Sequence, residues 1–234
     1  MKAIFLSLLL FIPTIVNAQI VRIPDKKFKE AVIALGHDTN DDQQIQVAEA
    51  KKVTALNINN LGIVNLEGIN SFTNLEELNL VENKIISLDV SKLKNLKYLY
   101  VTANPLAELN VTGLINLEHL YFPAYGQFSR TLVKSVNLSG MANLVELKCT
   151  NSAISSLDLS GLNKLELLEC QNSRLTSVNL RKASLLKRVN LRENPLEGTV
   201  DIRGMVNLEY FNCEDCKLLF LNMSGTIKLK DLYW

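Results

Sequence analysis

The chain has 234 residues, with 25 Lys and Arg against 24 Asp and Glu. A balance this even supplies no basic field for nucleic acid or for an anionic membrane surface. Two histidines and four cysteines leave little material for metal centres or catalytic triads.

The first stretch reads as a targeting segment. Lys2 precedes an apolar run from Ala3 to Val16, broken by Ser7, Pro13 and Thr14, and Val16-Asn17-Ala18 supplies the small residue a signal peptidase needs before Gln19. The run is too short for a bilayer span. Residues 1–18 are therefore expected to be a cleaved secretory signal, placing the mature chain in the periplasm, at the cell surface or outside the cell. No cysteine stands at the cleavage point to carry a lipid, and no later segment is apolar enough for membrane insertion. Cleavage removes Lys2 and leaves 24 charges of each sign on 216 residues.

Residues 19–52 have their own character and predict a small α-helical N-terminal cap. Asp25 is placed to cap a helix whose inner face carries Phe28, Val32 and Leu35, with Gly36 ending it. Directly after come twelve residues, Asp38 to Glu49, with the ligand spacing of an EF-hand loop. Asp38, Asn40 and Asp42 would give side-chain oxygens to Ca2+, Gln44 its carbonyl, and Glu49 a bidentate carboxylate, with Ile45 as the apolar mid-loop residue. The sixth place departs from the pattern. It needs a positive φ and carries Gln43 instead of Gly, at a cost of about 1 kcal/mol. Calcium bracing the cap and a plain linking loop both remain open readings.

From Val53 onward one phrase repeats. An apolar residue opens each copy at Val53, Leu75, Leu96, Leu117, Leu144, Leu165, Leu186, Leu208 and Leu229, with spacings of 22, 21, 21, 27, 21, 21, 22 and 21 residues. Places one, four, six and eleven are apolar, as in Leu75, Leu78, Leu80 and Ile85. The ninth place holds Asn83, Asn104 or Asn194, with Ser152, Ser173 and Cys216 as substitutes. This is the L-x-x-L-x-L-x-x-N-x-L phrase of leucine-rich repeats. Residues 53–234 are thus expected to form a leucine-rich repeat solenoid of eight copies and the start of a ninth. Its concave side should be a parallel β-sheet. A second alternation, in Leu88/Val90, Leu109/Val111, Leu157/Leu159 and Val178/Leu180, predicts short strands or irregular structure on the convex side, where a 21-residue repeat leaves little room for a helix. The last strand, Leu229 to Trp234, should offer an open edge for self-association or else fray.

Third and fifth places of each strand face outward. In copies three to five they read Tyr98 and Tyr100, His119 and Tyr121, Glu146 and Lys148. Clustered tyrosines on a rigid sheet suit ligand binding, because they give large contact area at low entropy cost; cross-strand packing of aromatics is the competing account. The fourth copy has six extra residues, and its segment from Phe122 to Phe128, with Tyr125 and Phe128, is expected to bulge out beside those tyrosines. Glu146 and Glu169 could suggest a glycan hydrolase pair, but Lys148 is placed to pair with Glu169, and no catalytic residues are assigned. Cys149, Cys170 and Cys213 share the core-facing sixth place and read as a small apolar ladder, with a disulfide possible in an oxidising compartment.

The Ile23-Pro24-Asp25-x-x-Phe28 opening, the EF-hand-like loop and the 21-residue copies resemble secreted leucine-rich repeat proteins of Bacteroidetes. So do Leu157-Asp158-Leu159-Ser160 and Leu147-Lys148-Cys149-Thr150-Asn151. The copies behind a helical cap also resemble internalin-type adhesins. That resemblance covers nearly the whole mature chain and implies protein binding, or recognition of glycans, at cell surfaces; it carries over no ligand-reading residue. The expected function is a secreted binding module that recognises an extracellular or periplasmic protein or glycan, and a structural scaffold or assembly subunit is the alternative.

Overall fold

The computed structural model describes residues 19–125, 130–180 and 183–234; the expected signal segment lies outside them, as does Phe128. Each copy contributes one three-residue strand whose middle residue points inward and whose flanking residues point out. In chain order the strands are β1 (Ala55–Asn57), β2 (Glu77–Asn79), β3 (Ser87–Asp89), β4 (Tyr98–Tyr100), β5 (Glu108–Asn110) and β6 (His119–Tyr121). They continue with β7 (Glu146–Lys148), β8 (Leu167–Glu169), β9 (Arg188–Asn190), β10 (Glu197–Asp201), β11 (Tyr210–Asn212), β12 (Lys217–Asn222) and β13 (Asp231–Tyr233).

Nine of these pair in parallel, in the order β1-β2-β4-β6-β7-β8-β9-β11-β13. Register follows the repeat: Leu78 lies beside Leu99, Leu120 beside Leu147, and Leu168 beside Val189. The fourth-place residues from Leu56 to Phe211 are fully buried, and each contributes roughly 1.5–3 kcal/mol relative to exposure. The result is an elongated parallel β-solenoid behind a small helical region.

The ninth place closes each turn. Asn104 donates its Nδ2 to Leu80 O (2.9 Å) and Val101 O (3.1 Å), while its Oδ1 accepts Ile85 N–H (3.0 Å). Asn83 and Asn194 make equivalent bonds one turn back and within their own turn. The substitutes are thinner: Ser152 and Ser173 bond each other at 2.9 Å, and Cys216 gives Sγ–H to Leu191 O at 3.2 Å. The preceding, eighth residue has a left-handed backbone in seven copies, at Asn60, Glu82, Ala103, Asn151, Asn172, Glu193 and Asp215. None is glycine, so the closing bonds must offset about 1 kcal/mol of strain at each.

Copy four corrects one expectation. Phe122 and Ala124 are fully buried, and Phe122 fills the sixth, core place instead of bulging out. The eighth-place Ala124 has no left-handed turn among the described residues, and the chain resumes the phrase at Thr131, which takes the ninth place ahead of buried Val133. The extra length therefore lies between Tyr125 and Arg130.

The convex side combines the two expected forms, short strands and irregular structure. Among the described residues, strands pair there as β3-β5 and β10-β12 only. Leu157, Leu159 and Leu180 are buried but lie outside the strands, where single backbone bonds such as Thr176 N–H to Ser155 O (3.3 Å) join neighbouring turns, because burial of alternate side chains does not itself align a whole ladder.

At the N-terminal end, α1 (Lys26–Ala34) is capped by Asp25 and turns Phe28 and Val32 onto the core. Phe28 meets Phe72 of the first repeat turn at 6.2 Å between ring centroids. Leu35 does not join this face. It is the C-cap, 48% exposed, and Gly36 at φ +80° turns the chain away.

Candidate functional site

The outward residues of the nine-stranded sheet form two columns. Tyr98, His119, Glu146, Leu167 and Arg188 follow one another at the third place, and Tyr100, Tyr121, Lys148, Glu169 and Asn190 at the fifth. Identical repeat places stack in register, so the expected neighbours meet. The Tyr98 and His119 rings stack at 5.1 Å and 28°, and the Tyr100 and Tyr121 rings tilt together at 5.1 Å. All four are half-buried.

Charged groups finish the cluster. The Tyr121 hydroxyl donates to the Glu146 carboxylate. His119 Nδ1 lies 3.2 Å from the Tyr121 hydroxyl and 3.5 Å from Glu146 Oε2. Lys148 Nζ stands 4.8 Å over the Tyr121 ring and 3.6 Å from Glu169, which also faces Arg188 at 3.7 Å. Burial, then the Glu146 hydrogen bond and charge, drive the Tyr121 phenol well above the ordinary tyrosine range; burial and Glu77 raise Tyr100. Both are neutral donors at physiological pH. Glu146 and Glu169 each have a partner that neutralises or bonds them, which suits a contact surface better than an acid–base pair.

Tyr125 is exposed beyond the buried start of the insertion, and Phe128 is outside the described residues. Arg130, where the insertion ends, reaches Asn172 Oδ1 (2.8 Å) and Ser152 O (3.5 Å), tying its exit to copies five and six.

A second aromatic cluster was missed in the sequence. Arg188 lies 3.7 Å over the Tyr210 ring, and Tyr210 meets Tyr233 at 5.9 Å. Carrying the third- and fifth-place reading through copies seven to nine would have exposed it.

In the cap loop, Gln43 does take the left-handed backbone (φ +62°). Asp38 accepts the backbone N–H groups of Asp42 and Gln43, Asn40 Oδ1 that of Asp42, and Asp42 that of Gln44. Gln44 takes Lys29 Nζ at its side-chain oxygen, and Glu49 accepts Thr39 and Gln46 N–H. These oxygens are thus satisfied by the loop's own N–H groups and Lys29. Among the described residues no three acidic, histidine or cysteine side chains converge as a ready metal-holding group.

The sixth-place cysteines are core residues, as expected. Cys149 and Cys170, fully buried directly after the neighbouring strands β7 and β8, are paired as a disulfide with Cα atoms 4.8 Å apart. Burial, and then Cys216, push the Cys213 thiol up to about 12, which leaves it unreactive.

No protein-family model matches the sequence, and no curated protein matches it. Solved structures do. Internalin C2 of Listeria monocytogenes is 22% identical, with a TM-score of 0.65 over 90% of this chain and 99% of that one. A leucine-rich repeat protein of Leptospira interrogans is 23% identical, with a TM-score of 0.57 over 80% of this chain. The match spans about half, 51%, of the Leptospira protein. At these identities the likeness concerns the fold: a repeat solenoid of the internalin and leucine-rich repeat type. No helix among the described residues is long and apolar enough to cross a membrane.

Proposed function

We propose that the chain is an exported binding module whose concave sheet recognises a polypeptide through the Tyr98, Tyr100, His119 and Tyr121 cluster. The observation that carries this reading is the way those rings stand. The Tyr98 and His119 faces lie against each other, and the Tyr121 face is covered by Lys148. A sugar ring stacks on an open aromatic face, and these two contacts take up a face of Tyr98, of His119 and of Tyr121. The cluster combines half-buried rings, neutral phenol hydroxyls and paired charges, a mixture that suits the side chains and backbone of a protein surface. The kinship in fold with internalins supports a protein-interaction role, and the partnered carboxylates favour binding over hydrolysis. Tyr125, exposed directly after buried Ala124, extends the same surface. Calcium in the 38–49 loop would brace the cap, a reading supported by the left-handed Gln43 and the ligand spacing from Asp38 to Glu49.

The test is a comparison of residues 19–234 with the Tyr98→Ala/Tyr100→Ala/Tyr121→Ala variant on a displayed peptide library and a polysaccharide array. Peptides retained by the parent and weakened at least about tenfold in a variant of near-parental melting temperature are expected. A severely destabilised variant would make these tyrosines packing residues and move the scaffold reading ahead. Retention of polysaccharide alone would reverse the choice of ligand class.

A further inference from the structure

The second place of each copy, just before the outward third place, carries a ladder of alternating charge. From copy two onward it reads Glu76, Lys97, Glu118, Val145, Glu166, Lys187, Glu209 and Lys230. These residues stack in register. Lys97, Glu118, Val145 and Glu166 each give their backbone N–H to the carbonyl of the one before, at 2.8 to 2.9 Å. Three glutamates are met by the lysine of the following copy: Glu76 by Lys97 at 2.8 Å, Glu166 by Lys187 at 2.7 Å and Glu209 by Lys230 at 2.8 Å. Glu118 is the exception, because the following copy puts Val145 where that lysine would stand. Its carboxylate accepts the Tyr98 hydroxyl at 3.4 Å but makes no ion pair among the described residues, and Lys97 on the copy before is held by Glu76. Beyond Val145 comes another apolar residue, Leu167, whose N–H bonds Val145 O at 3.2 Å. Glu118, Val145 and Leu167 are all half-buried, and Leu167 stands between Glu146 and Arg188 in the third-place column.

We infer that this break in the ladder is a subsite for a lysine or arginine side chain of the polypeptide partner, its cationic head on Glu118 and its aliphatic stem along Val145 and Leu167. The inference rests on the reading of the concave sheet as a polypeptide-binding surface and adds what the partner presents to it. Charge selects the occupant. The other glutamates of the column are neutralised from within the chain, whereas Glu118 carries a negative charge met only by a hydroxyl. A partner cation supplies from outside what a lysine supplies at the other three. Apolar surface selects the kind of cation. Basic side chains lay a methylene stem on apolar surface while the head keeps its polar partner, and Val145 with Leu167 offers such a surface on the next two copies. Half-burial of the carboxylate strengthens a charge-assisted hydrogen bond there relative to one made in open water. Position ties the subsite to the aromatic cluster: Glu118 shares the Tyr98 hydroxyl, so a side chain bound to it lies at the rim of the stacked rings.

The experiment is selection of a displayed random peptide library on residues 19–234, then calorimetric titration of the enriched peptides. Each is synthesised as selected and with its basic residue replaced by norleucine, which keeps the stem and removes the charge. The enriched peptides are expected to share a lysine or arginine, and the norleucine form should bind the parent about tenfold more weakly. Val145→Lys restores the Glu–Lys pair inside the chain. It should melt no lower than the parent and bind the basic and norleucine forms alike, since the carboxylate is already taken. Glu118→Gln should erase the same difference by removing the charge. Enriched peptides with no shared basic residue, or a basic-to-norleucine difference that persists in both variants, would overturn the inference and leave the tyrosine-based reading standing. A parent that retains no peptide at all would overturn both together.

Discussion

Replacement of Asn104 by Ala tests the account of how turns are held together. The side chain is fully buried and links copies two and three by three well-formed bonds: Nδ2 to Leu80 O and Val101 O, and Ile85 N–H to Oδ1. Each contributes a net ~1 kcal/mol when made, and a buried group left without a partner costs about 1–3 kcal/mol. Water can enter the space left by the amide and recover part of this, so a loss of roughly 3–4 kcal/mol is expected. For a domain of this size that corresponds to a fall of about 10 °C in melting temperature. Removing Ser173 Oγ, which bonds Ser152 Oγ at 2.9 Å and Cys149 O at 3.2 Å and accepts Ser152 N–H at 3.3 Å, should cost less, about 2 kcal/mol. The assays are thermal melting by circular dichroism and amide exchange at Ile85, whose N–H should lose protection. A drop below about 1 kcal/mol with Ile85 still protected would refute the reasoning, since the turns would then be held by leucine packing alone.

Two further outcomes concern the cap. Asp25 Oδ1 accepts Phe28 N–H, and Oδ2 accepts Val64 and Asn65 N–H at 2.9 and 3.0 Å, so one carboxylate joins α1 to the first repeat turn. Burial opposes its ionisation, but these backbone donors outweigh it and hold the carboxyl below its ordinary value. A depressed pKa gives stability that is complete above the unfolded value near 4 and is lost as pH falls through the folded one. Asp25→Asn should therefore cost about 1–2 kcal/mol at pH 7, and the gap should close below about pH 4; a gap independent of pH would refute the assignment. Millimolar calcium should raise the melting temperature and Glu49→Gln should abolish the rise, as ligand linkage requires. An unmoved melting curve would leave the loop as a plain connector.

The solenoid was legible in the sequence because its period is local and repeated. Leu75, Leu78 and Leu80 recur at the same places often enough that only stacking can bury them, and stacking sets Tyr98 beside His119 and Tyr100 beside Tyr121 without further information. Asp25 as a cap and Asn104 as a turn-closer follow from residue chemistry at a fixed place. Departures from the period needed three dimensions. Phe122 stands at the head of an insertion, yet its place in the phrase puts it in the core; only the position of the next turn decided where the extra residues leave. Leu157 and Leu180 alternate like strand residues but form no ladder, because pairing depends on the backbone of the neighbouring turn. The covered ring faces around Tyr121 are likewise a tertiary fact. Inward or outward direction is written in the repeat, but how much of an outward ring remains open depends on side chains from other turns, brought beside it by the coil.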